Sequence, residues 1–314
     1  MTTRLHFSGY QGDRSVHTRA GRVFCDIIKR GADSDTDIKF EENIVQGGAK
    51  AAELLERTES GEIDGCYFSS SYLADRIPEL GLFDQHFVVP DRHHAYAVLD
   101  GTLGERLKQE VEHKTGFKVL GYWDNGVRNI STSVRPIRSP EDCVDQKIRT
   151  LANDNHQRVF RSLGFQPMKI DVRDLPEAVI SGTVDAQENP LTNIYNFDLH
   201  KTHRYITLSR HLLGVALLLF NKDTVNSWPD SFRQIVSDAA KEATGQQRMF
   251  AEQEDSICTE ALKSDGCELI ELSEEERTAF RQATESEVNL TRAQFSDEFI
   301  KPVSYTHLTL PTKA

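Results

Sequence analysis

Apolar and polar positions along the first seventy residues follow two alternating periods. Period-two alternation predicts strands, and apolar residues spaced three and four apart predict amphipathic helices. The predicted elements are, in order, a strand at residues 5–8, a helix at 16–28, a strand at 38–45, a turn at 46–48, a helix around residues 52–55 and a strand at 63–68. This β-α-β-α-β order favours a mostly parallel sheet with helices on both faces.

A second series with the same pattern begins near Tyr122. It predicts strands at residues 129–134, 147–151, 168–172 and 183–187, with helices around Phe160 and Ala178. Each series has a helix that ends in Ser-Gly before a strand, at Gly61 and at Gly182. We interpret this as an internal repeat that gives two similar lobes facing a cleft. Ligands of such sheets bind beyond the carboxyl ends of strands, here residues 8–12 and 68–72.

Residues 229–264 show a nearly unbroken helical pattern. At 1.5 Å per residue this helix would be ~50 Å long, more than the width of one lobe. It is therefore predicted to span both lobes or to bend near Gly245. Residues 303–314 do not continue the pattern and are predicted to be a disordered or foreign tail.

Composition and charge narrow the class of protein. The 314 residues are 38% hydrophobic and 27% charged, with a mean hydropathy of -0.50, which is typical of a water-soluble globular chain large enough for two lobes. No run approaches the ~20 apolar residues of a membrane-spanning helix. A net charge of -12 repels nucleic acid and anionic lipid. An anionic ligand would therefore need locally placed arginines.

The five cysteines, at positions 25, 66, 143, 258 and 267, have no spacing suited to zinc. We predict buried thiols, no metal site and no cofactor; only Cys258 and Cys267 are close enough in sequence to suggest a disulfide. The chain runs from Met1 directly into a strand without an export signal. This start fits either a cytoplasmic protein or one whose signal peptide has been removed.

Four motifs in fixed order carry a family resemblance. They are GYWDNGVR at residues 121–128, RPI at 135–137 followed by PED at 140–142, KIR at 147–149 and DAQENPLTN at 185–193. Together they resemble the DctP family, the substrate-binding proteins of tripartite ATP-independent periplasmic (TRAP) transporters, over nearly the whole chain. One departure is Asp145, which stands where relatives have a turn glycine; aspartate tolerates left-handed backbone, so we expect the turn to persist.

The resemblance implies an α/β, two-lobed fold of the periplasmic-binding-protein kind, each lobe a central sheet flanked by helices, with a long helix spanning both. We expect lobe I to be residues 1–124 with 210–250, and lobe II to be residues 125–209 with 251–302. The implied function is non-enzymatic. A periplasmic monomer would capture a small organic acid in the interlobe cleft and deliver it to TRAP membrane subunits.

The same resemblance places the main carboxylate clamp at Arg149, supported by Arg128 and Asn189. A guanidinium group offers two parallel charge-assisted hydrogen bonds to a carboxylate and stays charged at physiological pH, although an isolated arginine is usually a solvated surface charge. At the predicted strand ends, Tyr10, Gln11, Ser69 and Ser70 could hydrogen-bond the polar end of a ligand. His211 is expected near the hinge. Ordinary loop polarity is the alternative for these groups.

Two other functions remain open at this stage. An enzyme acting on a carboxylic acid is possible in principle, but the sequence has no GxSxG, HExxH, P-loop or GxGxxG motif in a suitable context. A binding lobe of an ATP-driven (ABC) importer or a sensor would use the same architecture. The ligand itself could be a monocarboxylate, a dicarboxylate, a sugar acid or a sulfonate.

Overall fold

Nine strands and ten α-helices form the regular structure of the described part of the chain. The computed structural model describes residues 3–88, 91–151, 153–296 and 299–300; the tail predicted at 303–314 lies outside them. The strands are β1 (Arg4–Ser8), β2 (Asp37–Glu41), β3 (Gly65–Ser69), β4 (Phe117–Thr132), β5 (Lys147–Thr150), β6 (Gln166–Lys169), β7 (Ala186–Pro190), β8 (Tyr205–Asn221) and β9 (Glu268–Glu271). The helices are α1 (Val16–Gly31), α2 (Glu53–Glu59), α3 (Arg92–Leu99), α4 (Thr102–Lys114), α5 (Asp154–Ser162), α6 (Leu175–Ile180), α7 (Leu191–Asn196), α8 (Lys222–Ser227), α9 (Asp230–Ser264) and α10 (Glu274–Arg292).

The predicted internal repeat is confirmed by the strand order. In the first half of the sheet, β1 lies between β2 and β3 and is parallel to both. In the second half, β5 lies between β6 and β7 and is parallel to both. The helix before the last strand of each repeat is followed by a glycine with positive φ, Gly61 at 80° and Gly182 at 70°, a conformation that favours glycine.

Two long antiparallel strands, β4 and β8, join the two halves. They are 16 and 17 residues long and pair along their whole length. The end of β8 pairs with β3, and the end of β4 pairs with β7. The strand predicted at 129–134 therefore overlaps only the last part of β4, which begins at Phe117 and ends at Thr132. The pairing register shifts between Asp124 and Val127, and Gly126 there has φ 82°.

Several predicted strand ends are wrong. The strand predicted at 38–45 ends at Glu41, and Ile44–Gly47 forms a 3-10 turn in which the Asn43 side chain accepts a hydrogen bond from the amide of Val45. The strands predicted at 168–172 and 183–187 are displaced to β6 and β7. Register against the neighbouring strand, which periodicity alone does not contain, decides where these short strands begin and end. The left-handed turn at Asp145 is confirmed, with φ 66°.

The long helix α9 packs against both halves, as predicted. Its first part contributes Phe232, Val236 and neighbouring alanines to a core shared with α1 and β1. Its last part contributes Cys258 and Leu262 to a core under α6 and α7. The helix is continuous over 35 residues and is not interrupted at Gly245. Among the described residues, no helix has both the length and the apolarity to cross a membrane.

All five cysteines are buried and unpaired. The predicted buried thiols are thus confirmed, and the disulfide suggested for Cys258 and Cys267 is not formed. Burial raises the pKa of Cys258 to about 12, so this thiol stays protonated and behaves as a small apolar side chain.

Candidate functional site

A polar cavity lies between the two halves of the sheet. It holds about 350 Å³ of space not filled by protein atoms, part of it open to solvent. The lining residues are Tyr10, Gln11, Phe68, Ser69, Tyr72, Asn125, Arg128, Arg149, Leu151, Val172, Asn189 and Asn193. Six of the eight side chains that the sequence nominated therefore meet here. The first half of the sheet supplies Tyr10, Gln11 and Ser69, and the second half supplies Arg128, Arg149 and Asn189.

Arg149 is the lining residue whose charge is not neutralised. It lies on β5 and is only 1% exposed. Its Nε donates to the carbonyl oxygen of Ile170 at 2.8 Å, but it forms no salt bridge with any described residue. A buried charge without a partner is costly, because the protein replaces only part of the hydration that the ion loses. The guanidinium is thus available to an anion that enters the cavity.

Arg128, by contrast, is paired within the protein. Its Nε and a terminal nitrogen donate to the carboxylate of Glu188, the latter at 2.9 Å, and the same nitrogen donates to the Glu188 carbonyl at 2.6 Å. The register of β4 against β7 sets Arg128 opposite Pro190, which makes Glu188 its diagonal neighbour on the same face. Both side chains are almost fully buried.

The charge state of Glu188 follows from this pairing. Burial by itself would raise the pKa of Glu188, but the charge of Arg128 and hydrogen bonds from His211 and Arg128 outweigh it and hold the pKa well below its usual range. Glu188 is therefore ionised and cancels the charge of Arg128. The cavity then carries one uncompensated positive charge, that of Arg149.

Asn189 belongs to a buried chain of hydrogen bonds that fixes this wall of the cavity. Its oxygen accepts from Arg128 at 3.3 Å and from Asn193 at 3.3 Å, and its nitrogen donates to Gln187 at 2.5 Å. Gln187 in turn donates to Ser131 at 2.6 Å. With its oxygen and nitrogen both occupied, Asn189 positions Arg128 and Asn193.

The remaining two nominated residues do not line the cavity. His211 lies behind Glu188, with Nε2 3.4 Å from its carboxylate and Nδ1 2.8 Å from Ser209 Oγ. Burial lowers the pKa of His211, and the nearby Arg128 lowers it further, although the bond to Glu188 opposes both. Ser70 is buried, and its hydroxyl has no partner among the described residues. The ligand contacts predicted for these two residues stay predictions.

The loop after β1 is held by a buried tyrosine. The hydroxyl of Tyr67 lies 3.2 Å from the backbone nitrogen of Gln11 and accepts its hydrogen. Burial raises the pKa of Tyr67 to about 12, and it also raises the pKa of Tyr10, so both phenols are neutral. Tyr10 and Gln11 therefore face the cavity from a fixed loop as hydrogen-bonding groups without charge.

Sequence reasoning missed several residues of this site. Asn125 and Asn193 stand inside motifs that the resemblance rests on, but those motifs gave them no role. Glu188 was passed over in the same way, although an acid beside a nominated asparagine was a usable signal. Tyr72 had no signal beyond its position after β3. Its place in the lining is decided by the 3-10 turn Ser70–Tyr72.

The cavity continues outward into a wider opening of about 810 Å³. Its rim includes Asp13, Arg14, Asn43, Arg173 and Asn196. Two contacts cross it: Arg14 donates to the carbonyl oxygen of Asn196 at 2.9 Å, and Arg173 donates to that of Gly48 at 3.3 Å. The structure therefore has the two sides of the cleft in contact at its mouth.

No group of three or more His, Cys, Asp or Glu residues in the described ranges is arranged to hold a metal ion. The polar groups that line the cavity are guanidinium, amide and hydroxyl groups, which can form hydrogen bonds to an anion.

Solved structures with this fold include binding proteins for organic acids. The sugar acid binding protein from Advenella mimigardefordensis, solved with galactonate, is 27% identical, covers 96% of both chains and has a TM-score of 0.91. A TRAP periplasmic solute binding protein from Sulfurospirillum deleyianum, solved with succinate, is 26% identical with a TM-score of 0.89, and the match covers 96% of this chain and 99% of that one.

Sequence relatives are of the same kind. The 2,3-diketo-L-gulonate-binding periplasmic protein of Escherichia coli is 28% identical over 90% of this chain and 83% of its own length. The model of the DctP family, described as bacterial extracellular solute-binding protein, family 7, matches residues 7–294. The chain belongs to the DctP family of bacterial extracellular solute-binding proteins.

Proposed function

We propose that this protein captures a small organic acid in the cavity between its two lobes, with Arg149 as the main partner of the ligand's carboxylate. The observation that carries the proposal is the burial of Arg149 without a carboxylate partner among the described residues. A carboxylate would supply the missing charge and accept two parallel hydrogen bonds. Relatives described with galactonate and succinate support an organic acid as the ligand class.

The supporting roles follow from the contacts. The charge of Arg128 is neutralised by Glu188. Arg128 would therefore donate a hydrogen bond to the ligand's carboxylate without adding a net positive charge. Asn189 would hold Arg128 in place, while Tyr10, Gln11 and Ser69 would contact the ligand from the opposite lobe. His211 would act through Glu188 and not on the ligand directly. We expect Ser70 to matter less than Ser69, which lines the cavity.

We further propose that the ligand is bound without reaction. Tyr10, Tyr67 and Glu188 do not have the pKa of a general base at neutral pH, because burial raises the pKa of both tyrosines and the pairing with Arg128 lowers that of Glu188. Membership in a family of solute-binding proteins supports the same conclusion. Mass spectrometry after long incubation should detect the bound acid unchanged. A molar excess of product over protein would show that the protein is an enzyme.

We also propose where and with which partners the protein acts. The protein would act as a monomer in the periplasm and pass its ligand to the membrane subunits of a TRAP transporter. We propose residues 1–124 with 210–250 as one rigid lobe and residues 125–209 with 251–302 as the other. Relatives named periplasmic binding proteins support this location.

A thermal-shift screen with a library of organic acids tests the function. A ligand at 100 times its Kd stabilises the folded protein by ~2.7 kcal/mol, which a melting curve detects readily. Arg149→Met is the matched control, since an acid that binds as proposed should stabilise the wild type and not this variant. Equal shifts in both proteins would contradict the assignment of Arg149.

A further inference from the structure

Two buried polar atoms in the cavity have no hydrogen-bond partner among the described residues: Gln11 Nε2 and Asn125 Oδ1. Both residues line the cavity beside Arg149, and they are only 2% and 6% exposed. A buried amide group without a partner costs about 1 to 3 kcal/mol. These atoms therefore mark positions where a bound molecule is expected to supply the missing hydrogen bonds.

The orientation of the Gln11 amide is fixed by its neighbours. Ser15 Oγ accepts from the backbone nitrogen of His17 at 3.1 Å, and its own hydrogen goes to Gln11 Oε1. With the amide oxygen committed to a donor, the nitrogen is the atom left free. No acceptor among the described residues stands at hydrogen-bonding geometry to Nε2. Gln11 thus presents an unused donor to the cavity.

Asn125 is presented by an irregularity in β4. It lies where the pairing with β8 shifts register between Asp124 and Val127, and such shifts re-aim a side chain. A Cβ on Gly214 of β8 would come within 3.1 Å of Asn125, so the glycine there allows the close approach. Turning the amide over would exchange its oxygen and nitrogen, and the site would still contain one acceptor. An acceptor in a buried site requires a donor on the ligand.

The charges around the cavity argue against a second carboxylate on the ligand. Arg149 is the unpaired cation of the inner lining, and Arg128 is neutralised by Glu188. In the outer opening, Arg173 is paired with Asp174 at 2.9 Å, and the guanidinium of Arg14 donates to the carbonyl oxygen of Asn196 at 2.9 Å. A second carboxylate would therefore lose its hydration without gaining an equivalent partner.

We propose that the cleft selects a monocarboxylate that carries hydroxyl groups near its carboxylate, with Gln11 donating to the ligand and Asn125 accepting from it. A hydroxyl group both accepts and donates, so it can satisfy the two unpartnered atoms, whereas an ionised dicarboxylate has no hydrogen to donate. This inference rests on the proposed function and narrows its ligand class to hydroxy acids. The amide groups of Asn43, Asn193 and Asn196 along the outward path suit further hydroxyls.

Calorimetry with acids of equal chain length tests the proposal. The four-carbon series is erythronate, succinate and butyrate, and the six-carbon series is gluconate, adipate and hexanoate. In at least one series, the hydroxylated monocarboxylate should bind about tenfold or more tightly than the other two acids, because they leave buried groups unpaired. A dicarboxylate or plain acid that binds as tightly as the hydroxy acid in both series would overturn the inference.

Variants separate recognition from folding. Asn125→Leu and Gln11→Met should lower the affinity for the hydroxy acid about tenfold and leave the weaker affinity for the plain acid unchanged. A purely structural role would lower the affinity for both acids equally and would count against the proposal. Gln85→Met is the matched control: Gln85 is also buried with an unpartnered amide atom, but it does not line the cavity, so neither affinity should change.

The outcomes also distinguish this inference from the proposed function. If a dicarboxylate binds best and Arg149→Met abolishes that binding, the proposed function stands and the hydroxy acid inference fails. If none of the six acids binds the wild-type protein, both fail.

Discussion

The guanidinium of Arg149 is buried and unpaired, so in the unliganded protein its charge opposes folding while it prepares the site for an anion. We expect Arg149→Met to weaken binding of the cognate acid by about 2 to 5 kcal/mol, which is thirtyfold or more. Without ligand, the variant should unfold at a temperature no lower than the wild type, because an uncompensated buried charge is removed. Calorimetry and thermal unfolding measure the two effects.

Arg149→Lys should also bind weakly, since a lysine cannot make the paired hydrogen bonds of a guanidinium. Arg30→Ala is the control, because Arg30 is exposed on α1 and does not line the cavity. A large loss of stability in Arg149→Met, with ligand affinity retained, would make Arg149 a structural residue.

Substitution of Glu188 should destabilise the folded protein, in contrast to substitution of Arg149, because the charge of Glu188 neutralises that of Arg128. Glu188→Gln leaves a buried arginine without its partner and should lower the free energy of unfolding by about 3 to 5 kcal/mol. Glu42→Gln removes a comparable contact to Arg22 at the surface, where the side chains are 43% and 37% exposed, and should cost about 1 kcal/mol or less. Urea denaturation at pH 7 compares the two; equal losses would contradict the role of burial.

The pH dependence of this pair has a defined sign. The pKa of Glu188 is lowered in the folded protein, so the stability it contributes is complete above the ordinary range of a glutamate, ~4.3. It is lost as pH falls through the lowered folded value. The difference between the wild type and Glu188→Gln should therefore be constant from pH 8 to pH 5 and narrow only in stronger acid.

His17 also lowers the stability of the protein as the pH falls, but over a higher pH range than Glu188 does. Burial lowers the pKa of His17 to about 4, although Asp124 opposes this; neither ring nitrogen has a partner among the described residues, and the ring stacks on Tyr67 at 5.0 Å. In the unfolded chain the imidazole takes up its proton near pH 6.5. Between pH ~6.5 and 4 the unfolded state therefore binds more protons, and the free energy of unfolding falls as pH falls.

His17→Phe should remove this loss. We expect its stability relative to the wild type to be greater at pH 5 than at pH 8 by on the order of 1 to 2 kcal/mol. His93→Phe is the control, because the side chain of His93 is 82% exposed. Urea denaturation at the two pH values gives the comparison, and an equal difference at both would show that His17 titrates normally in the folded protein.

At the scale of elements, α9 contains a residue with low helix propensity, Gly245. Gly245 is exposed within the 35-residue helix, and a Cβ there would meet nothing within 4 Å. Gly245→Ala should raise the free energy of unfolding by about 0.5 to 1 kcal/mol, since alanine loses less backbone entropy. Denaturant unfolding measures the gain.

Gly104 in α4 gives the contrasting case. A Cβ there would lie 1.7 Å from the carbonyl oxygen of Leu99, so Gly104→Ala should destabilise the protein although it is also a helical glycine. Destabilisation by Gly245→Ala would mean that α9 needs a flexible point in the folded protein.

Considered as a whole molecule, the protein should close around its ligand. Contacts from both lobes to one ligand exist only when the lobes are near each other, so binding favours the closed state by the difference in affinity. The contacts of Arg14 with Asn196 and of Arg173 with Gly48 cross the cleft mouth and would add to that state. Small-angle scattering should show a smaller radius of gyration with saturating ligand. Arg149→Met should show no change, and an unchanged wild-type profile would contradict closure.

Much of this architecture could be predicted from the sequence, because it depends on local periodicity. The spacing of apolar residues gave α1 and α9, and the repeated Ser-Gly before a strand gave the two β-α-β units. The family resemblance carried by the four motifs nominated Arg149, Arg128 and Asn189, because each motif is a short continuous run of residues. These features need only neighbours within a few residues along the chain.

Tertiary structure decided the features that depend on distant partners. The length of β4 and β8 is set by their pairing, which continues on both sides of residues 124–127, where the periodicity predicted no strand. The neutralisation of Arg128 by Glu188 requires the register of β4 against β7, and the unpartnered atoms of Gln11 and Asn125 appear only when both lobes are in place. The sequence thus determined which groups could bind an acid. Packing decided that, of the two arginines lining the inner cavity, Arg128 is paired with Glu188 and Arg149 has no carboxylate partner among the described residues, because charge compensation depends on distances in space.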